Sequence, residues 1–306
     1  MNASDTDSRV RLAAFEFLAK ETARRGEVVP RGILAEGFQF GGTRVPLVGP
    51  QGIFKPAVLP EMPLTITTVP EVRGRPRPYA DSMGSDGLLR YAYRGTDPLH
   101  RDNVGLRTAM QRRAPLAYLF GVVPGEYMPV WPVYIEGDDP ARLEFSVAVD
   151  EPGAIVGAQP QVGAVAEARR VYLTVLTRRR LHQQTFRQRV LRAYQERCAV
   201  CRLRRRELLD AAHILPDIHP LGEPVVPNGL ALCSLHHAAF DRHVLGIRPD
   251  LVVELRLDIL REIDGPLLVH GLQGFQGRVI EIPREAHLQP NPAWLAERYH
   301  TFQRAG

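Results

Sequence analysis

The sequence is short of cysteine, of lysine and of long apolar runs, and each shortage narrows what the chain can be. Three cysteines in 306 residues cannot pair evenly, which argues against a disulfide framework and for reduced thiols in a cytoplasmic setting. No apolar run reaches the ~20 residues that a membrane-spanning helix needs. The first residues are polar and acidic, unlike a secretory signal. Because lysine is scarce, the formal charge of +5 and the pI of about 9.3 rest on arginine. Guanidinium groups suit bidentate phosphate contacts, so the balance favours a polyanionic partner. A hydrophobic content of 44% with 24% charged residues is globular composition, and 306 residues suffice for two domains.

What is present is concentrated between Cys198 and Asp241. Cys198, Cys201, Cys233 and His236 form a C-x-x-C…C-x-x-H set, enough to close a tetrahedral structural zinc site. His213, Asn228, His237 and Asp241 are left over. His237 and Asp241 are four residues apart, so on a helix they share a face and can hold one divalent cation. His213, followed by Ile-Leu-Pro, reads as the exit of a strand; facing that cation, it could take the proton from an attacking water. Asn228 precedes Gly229 in a turn-like setting, where its amide could bond the backbone beside His213 and orient the imidazole. A zinc knuckle that only binds DNA or protein is the alternative, and it leaves His213 and Asp241 without a role.

On these residues the stretch resembles the HNH endonucleases, whose fold is two strands and a helix around one metal (ββα-metal). The resemblance implies that His213 is the general base, Asn228 the middle asparagine, His237 the metal-binding histidine of the helix, and Asp241 the last ligand. Mg2+, Mn2+, Co2+ or Ni2+ would be the catalytic cation. In the zinc-stapled branch the helix opens with C-x-x-C-H; here His236 stands at the second cysteine. Many members also carry a metal-binding Asp or His directly before the base. Here that position is Ala212, with Asp210 nearby.

Upstream, residues 5–25 read as an amphipathic helix with Val10, Leu12, Phe15, Phe17 and Leu18 on its apolar side. From about 30 to 150, short β-rich runs alternate with turn signals, and one helix is expected over 103–113. Residues 79–103 concentrate Asp81, Tyr91, Tyr93, Arg94, Asp102 and Asn103. Aromatic faces, a carboxylate and an amide are what a pocket for an extruded base uses. Core tyrosines with a helix cap at Asp102 account for the same residues differently. Residues 40–150 also resemble the SET-and-RING-associated (SRA, PUA-like) domain through Gln51-Gly52-Ile53, Tyr91 to Gly95, Asp102-Asn103 with Leu106, and Leu119-Phe120. That resemblance implies a domain that flips and reads a modified cytosine, 5-methyl or 5-hydroxymethyl.

Residues 166–206 are intensely basic, with Arg178 and Arg187 among the arginines expected on DNA phosphates. Strand signals at 251–257 and 278–282 and a tail helix near 294–302 follow. The expected architecture is α+β: a mixed β-barrel-like SRA-like reading domain over 1–155, a basic helical linker over 156–195, and a zinc-stapled nuclease domain over 196–306. Together these resemble bacterial modification-dependent type IV restriction endonucleases. One such site cuts one strand, so a homodimer on double-stranded DNA is expected. A first domain that senses another ligand or an unmodified sequence is the other reading.

Overall fold

The computed structural model describes residues 3–70, 86–150 and 164–305. They divide into two compact units, Met1–Leu181 and His182–Gly306. Among the described residues, no helix is long and apolar enough to cross a membrane.

The first unit opens with helix α1 (Ala3–Arg25), followed by β1 (Val29–Pro30), α2 (Arg31–Glu36), the hairpin β2 (Phe38–Phe40) and β3 (Thr43–Val45), and β4 (Ile53–Phe54). After β5 (Thr65–Thr67) and β6 (Leu89–Ala92) come α3 (Arg101–Gln111), β7 (Leu116–Val123), β8 (Glu126–Asp139) and β9 (Glu144–Val149). Seven strands form one mixed sheet in the order β4-β5-β7-β8-β9-β6, with β1 also paired to β8. Among the described residues only β5–β7 is parallel. Strand β7 is buried along its whole length, because successive side chains enter opposite faces. Leu116, Tyr118, Phe120 and Val122 join one core and Ala117 and Leu119 the other.

Helix α1 buries Val10, Ala14, Phe15 and Leu18, as its apolar spacing predicts, but Leu12 is exposed at 38%. It also buries a charge, which demands partners. Arg11 pairs with Asp7 at 2.6 Å and donates to the carbonyls of Pro63 and Pro115 at 3.0 and 2.8 Å. Helix α3 begins at Arg101 and its cap is His100, whose Nδ1 accepts from the Asp102 amide at 3.2 Å. Asp102 is therefore in the first turn and is not the cap.

Helix α4 (Ala164–Ala193) gives Leu181 to the core of the first unit and Phe186, Val190 and Leu191 to that of the second. In the second unit β10 (Leu209–His213) pairs antiparallel with β11 (Gly229–Cys233), and α5 (Ser234–Asp241) follows directly. Strands β12 (Leu245–Ile247) and β13 (Val253–Leu255), then α6 (Leu257–Arg261), α7 (Pro266–Gly271) and α8 (Pro292–Ala305), complete it. The strand expected at 278–282 is reduced to a single bridge between Val252 and Val279. The α+β class is what the described residues show.

Candidate active site

The cysteine motif closes in space. The ligand atoms of Cys198, Cys201, Cys233 and His236 all lie within 4.8 Å of one another. Cys201 Sγ is 3.8 Å from Cys233 Sγ, and His236 Nδ1 is 3.5 Å from Cys198 Sγ and 3.1 Å from Cys233 Sγ. A tetrahedron with Zn–S bonds of ~2.3 Å has S–S edges of roughly 3.8 Å, so the four groups fit zinc. His236 Nε2 lies 2.9 Å from the Gly271 carbonyl. Donation to that oxygen fixes the proton on Nε2 and leaves Nδ1 for a metal. Without a metal, hydrogen bonds among the three thiols lower Cys233 and raise Cys201; zinc would hold all three as thiolates. Without a metal, burial is outweighed by hydrogen bonds to Cys198 and Cys233, which raise His236 to about 9, so zinc would displace a proton from this ring.

A second group of side chains is assembled by β10, β11 and α5. His213 ends β10 opposite Gly229. Its ring stacks on Phe186 of α4, centroids 4.0 Å apart and planes at 16°. Its Nε2 is 3.0 Å from Asp217 Oδ1, a close but poorly directed contact. Asn228 is fully buried. Its amide donates to the Leu215 and Glu223 carbonyls at 3.0 Å each, and its Oδ1 accepts from the Leu215 amide at 2.9 Å. The side chain thus clamps the turn that leaves His213. Gly229 is needed there because a Cβ would stand 2.4 Å from Val190 Cγ2 and 2.9 Å from Phe186 Cζ.

On α5, His237 Nε2 is 3.3 Å from Asp241 Oδ2, the one-turn pair the spacing predicts. Across the ring, His237 Nδ1 is 3.7 Å from Asp210 Oδ2, and the other oxygen of Asp210 accepts from Arg187 Nε at 3.1 Å. The two imidazoles are pushed apart. Burial, reinforced by the nearby His237, holds His213 below the usual histidine range against the pull of Asp217, Asp241 and Asp210. The hydrogen bond to Asp241 lifts His237 against its burial, and the same bond lowers Asp241. Divergent titration of two neighbouring groups is how a site separates a base from an ion-binding group.

Residues 198–248 match the family model of an HNH endonuclease domain (HNH_2). The segment is an HNH endonuclease domain. With it the chain is a metal-dependent nuclease. No curated protein matches the chain. Among solved structures it is similar to a modification-dependent TagI restriction endonuclease, at 17% identity over 78% of this chain and 81% of that one. The TM-score is 0.28.

The HNH domain brings together His213, Asn228, His237 and Asp241, and it adds residues that motif spacing does not mark. Phe186 and Arg187 come from α4, and Arg298 comes from α8. Arg298 lies over the Phe240 ring at 4.7 Å and donates to the Phe240 carbonyl at 2.8 Å. Arg187, expected on DNA phosphates, is engaged by Asp210 and by the Leu209 carbonyl at 2.6 Å. Farther up α4, Arg169 and Arg170 pair with Asp150, Arg170 also pairs with Glu136, and Arg180 with Glu27. Part of the basic charge is thus neutralised within the first unit. Arg178 is half-buried.

Of the residues expected in a base pocket, Asp81 lies outside the described residues. Tyr93 is buried; its hydroxyl donates to Asp138 and accepts from Arg107, and its ring stacks on Phe145 at 4.6 Å. Asn103 is buried and clamps the turn after β6 through the Arg94 amide and the Arg94 and Asp97 carbonyls. Among the described residues, the polar groups of both are bonded within the first unit, as buried polar groups generally are. Asp102 sits beside His100 and Arg101, at 3.8 and 3.6 Å. Tyr91 lies beneath the Gln51-Gly52 loop, with its hydroxyl 3.3 Å from the Thr67 carbonyl; a Cβ at Gly52 would stand 2.9 Å from it.

Proposed function

We propose that the chain is a modification-dependent restriction endonuclease acting on double-stranded DNA. The observation that carries the catalytic part is the one-turn pair of His237 and Asp241, 3.3 Å apart on α5, with His213 at the end of β10 in the same HNH domain. A divalent cation held by His237 and Asp241 would supply charge stabilisation at the scissile phosphate and the leaving 3′-oxygen. Every other part of the step belongs to the chain. His213, neutral near pH 7 because it is buried, takes the proton of a water. The water oxygen bonds to phosphorus as the bond to the 3′-oxygen breaks, leaving a 5′-phosphate. Phe186 and the Asn228 clamp keep the His213 imidazole in one orientation. Cys198, Cys201, Cys233 and His236 hold structural zinc and take no part in the step.

The reading part belongs to the first unit. Its support is the set of short SRA-like agreements over residues 40–150, the Gln51-Gly52 loop against Tyr91, and the net positive charge of the chain. In this reading the unit extrudes a cytosine carrying a 5-methyl or 5-hydroxymethyl group, and a homodimer cuts both strands. The test compares plain, methylated and hydroxymethylated duplexes, with wild type and His213→Ala. Modified DNA alone is expected to be cut, and His213→Ala is expected to bind it without cutting. Equal cleavage of plain DNA would assign the first unit to another ligand; cleavage by His213→Ala would overturn the mechanism.

A further inference from the structure

The matter left open by the motif is what stands in for the ligand that many HNH domains carry directly before the base, where this chain has the fully buried Ala212. Asp210 is the carboxylate that β10 brings to the site. The pairing of β10 with β11 sets Asp210 opposite Leu232. Helix α5 begins directly after β11, which carries the His237 ring back beside Asp210.

The two carboxylates approach different nitrogens of the same ring. Asp241 lies at Nε2, 3.3 Å away, and Asp210 at Nδ1, 3.7 Å away. An imidazole gives a metal one nitrogen and keeps its proton on the other, and that N–H needs an acceptor. A cation shared by His237 and Asp241 sits on the Nε2 side, across the ring from Asp210. The other oxygen of Asp210 accepts from Arg187 Nε and from the Ala211 amide, at 3.1 and 2.8 Å, and Arg187 Nη2 also bonds the Leu209 carbonyl at 2.6 Å.

We infer that Asp210 is a positioning residue, not a third cation ligand: it accepts the Nδ1 proton of His237, fixes Nε2 as the cation-binding nitrogen, and is itself held by Arg187. The basic helix then has a second task, since Arg187 braces the cation site from behind. This inference rests on the proposed role of His237 and Asp241.

The experiment is a titration of the full-length, zinc-loaded protein with Mn2+ or Co2+, following binding by calorimetry or by cobalt absorption, without DNA. His237→Ala is expected to abolish the divalent site; if it binds as wild type does, the cation-site reading itself fails. Asp210→Ala is expected to weaken binding by about 10- to 100-fold, the usual loss when such a partner is removed. Asp210→Asn is expected to stay near wild type, because the amide oxygen still accepts the Nδ1 proton. Asp210→Asn as weak as Asp210→Ala would make Asp210 a direct ligand and overturn the inference, as would wild-type binding by Asp210→Ala. The Asp210 side chain is 52% exposed, so neither substitution removes core packing, and zinc content reports that the fold is intact. Arg187→Gln is expected to weaken binding in the same direction while leaving the zinc in place; unchanged binding would overturn its bracing role.

Discussion

Phe186 and His213 lie ring on ring, 4.0 Å apart and within 16° of parallel. The helix that reads in the sequence as a basic DNA-binding arm is thereby the wall against which the proposed general base is held. Phe186→Ala should cost about 3–5 kcal/mol through the cavity it leaves, seen in the thermal or denaturant midpoint. Phe186→Leu should keep most of the stability and still lower kcat, since an aliphatic side chain does not hold the imidazole plane. Unchanged kcat in Phe186→Leu would remove the stacking from the mechanism.

Gly229 sits under the same ring. Gly229→Ala must push Val190 and Phe186 aside, because its Cβ would meet them at 2.4 and 2.9 Å. Both are fully or nearly fully buried. Overpacking of this kind costs about 1–3 kcal/mol, and the displaced Phe186 should lower kcat as well. Wild-type stability and rate would show that the helix yields freely there.

Asn228→Ala leaves the buried Leu215 amide without its partner and deprives the Leu215 and Glu223 carbonyls of donors. An orphaned buried group costs about 1–3 kcal/mol. The loop after His213 should loosen, so kcat should fall by at least about tenfold with little change in the KM for DNA. A change confined to KM would place Asn228 in DNA binding instead.

The pH dependence follows from the two imidazoles. The bond to Asp241 raises His237, so protons compete with the cation at pH values up to and above ~6.5, the ordinary histidine pKa. Burial lowers His213, so it stays a competent base to pH values below ~6.5. At low cation concentration, activity should fall on the acid side through the raised His237 range. As the cation concentration increases, that limb should move to lower pH until His213 limits it. The check is kcat/KM against pH at several Mn2+ concentrations; a limb that does not move would show that His237 does not hold the cation.

Cys233 ends β11, and His236 lies in the first turn of α5. Cys233→Ser should therefore release zinc and unfold the β10–β11–α5 region rather than impair cleavage alone, because structural zinc contributes its binding energy to folding. Zinc content with limited proteolysis decides it; a zinc-free, protease-resistant domain would make the site dispensable.

Several features were legible because they are local along the chain. The four-residue step from His237 to Asp241 and the C-x-x-C and C-x-x-H pairs are set by the geometry of one helix or one turn. Strand β7 lies among the short β-rich runs the sequence shows, and α1 was readable from its periodicity. Other features were not legible. Tyr93 and Asn103 carry base-recognition chemistry by residue type, and their burial and internal hydrogen bonds could not be read from the sequence. Arg169, Arg170 and Arg180 read as a phosphate-binding stripe until Asp150, Glu136 and Glu27, remote in sequence, were placed against them.

The sequence by itself determined the ligand inventory: which sulfurs and imidazoles exist, and which pairs stand one helical turn or one tight turn apart. Those relations are dictated by backbone geometry over a few residues. Only the tertiary structure decided what surrounds each imidazole. Phe186 against His213, Asp210 and Arg187 behind His237, and Arg298 over Phe240 join segments that are far apart in the chain. Burial and charge at a site are sums over neighbours in space, and a sequence pattern does not specify which distant segment will supply them.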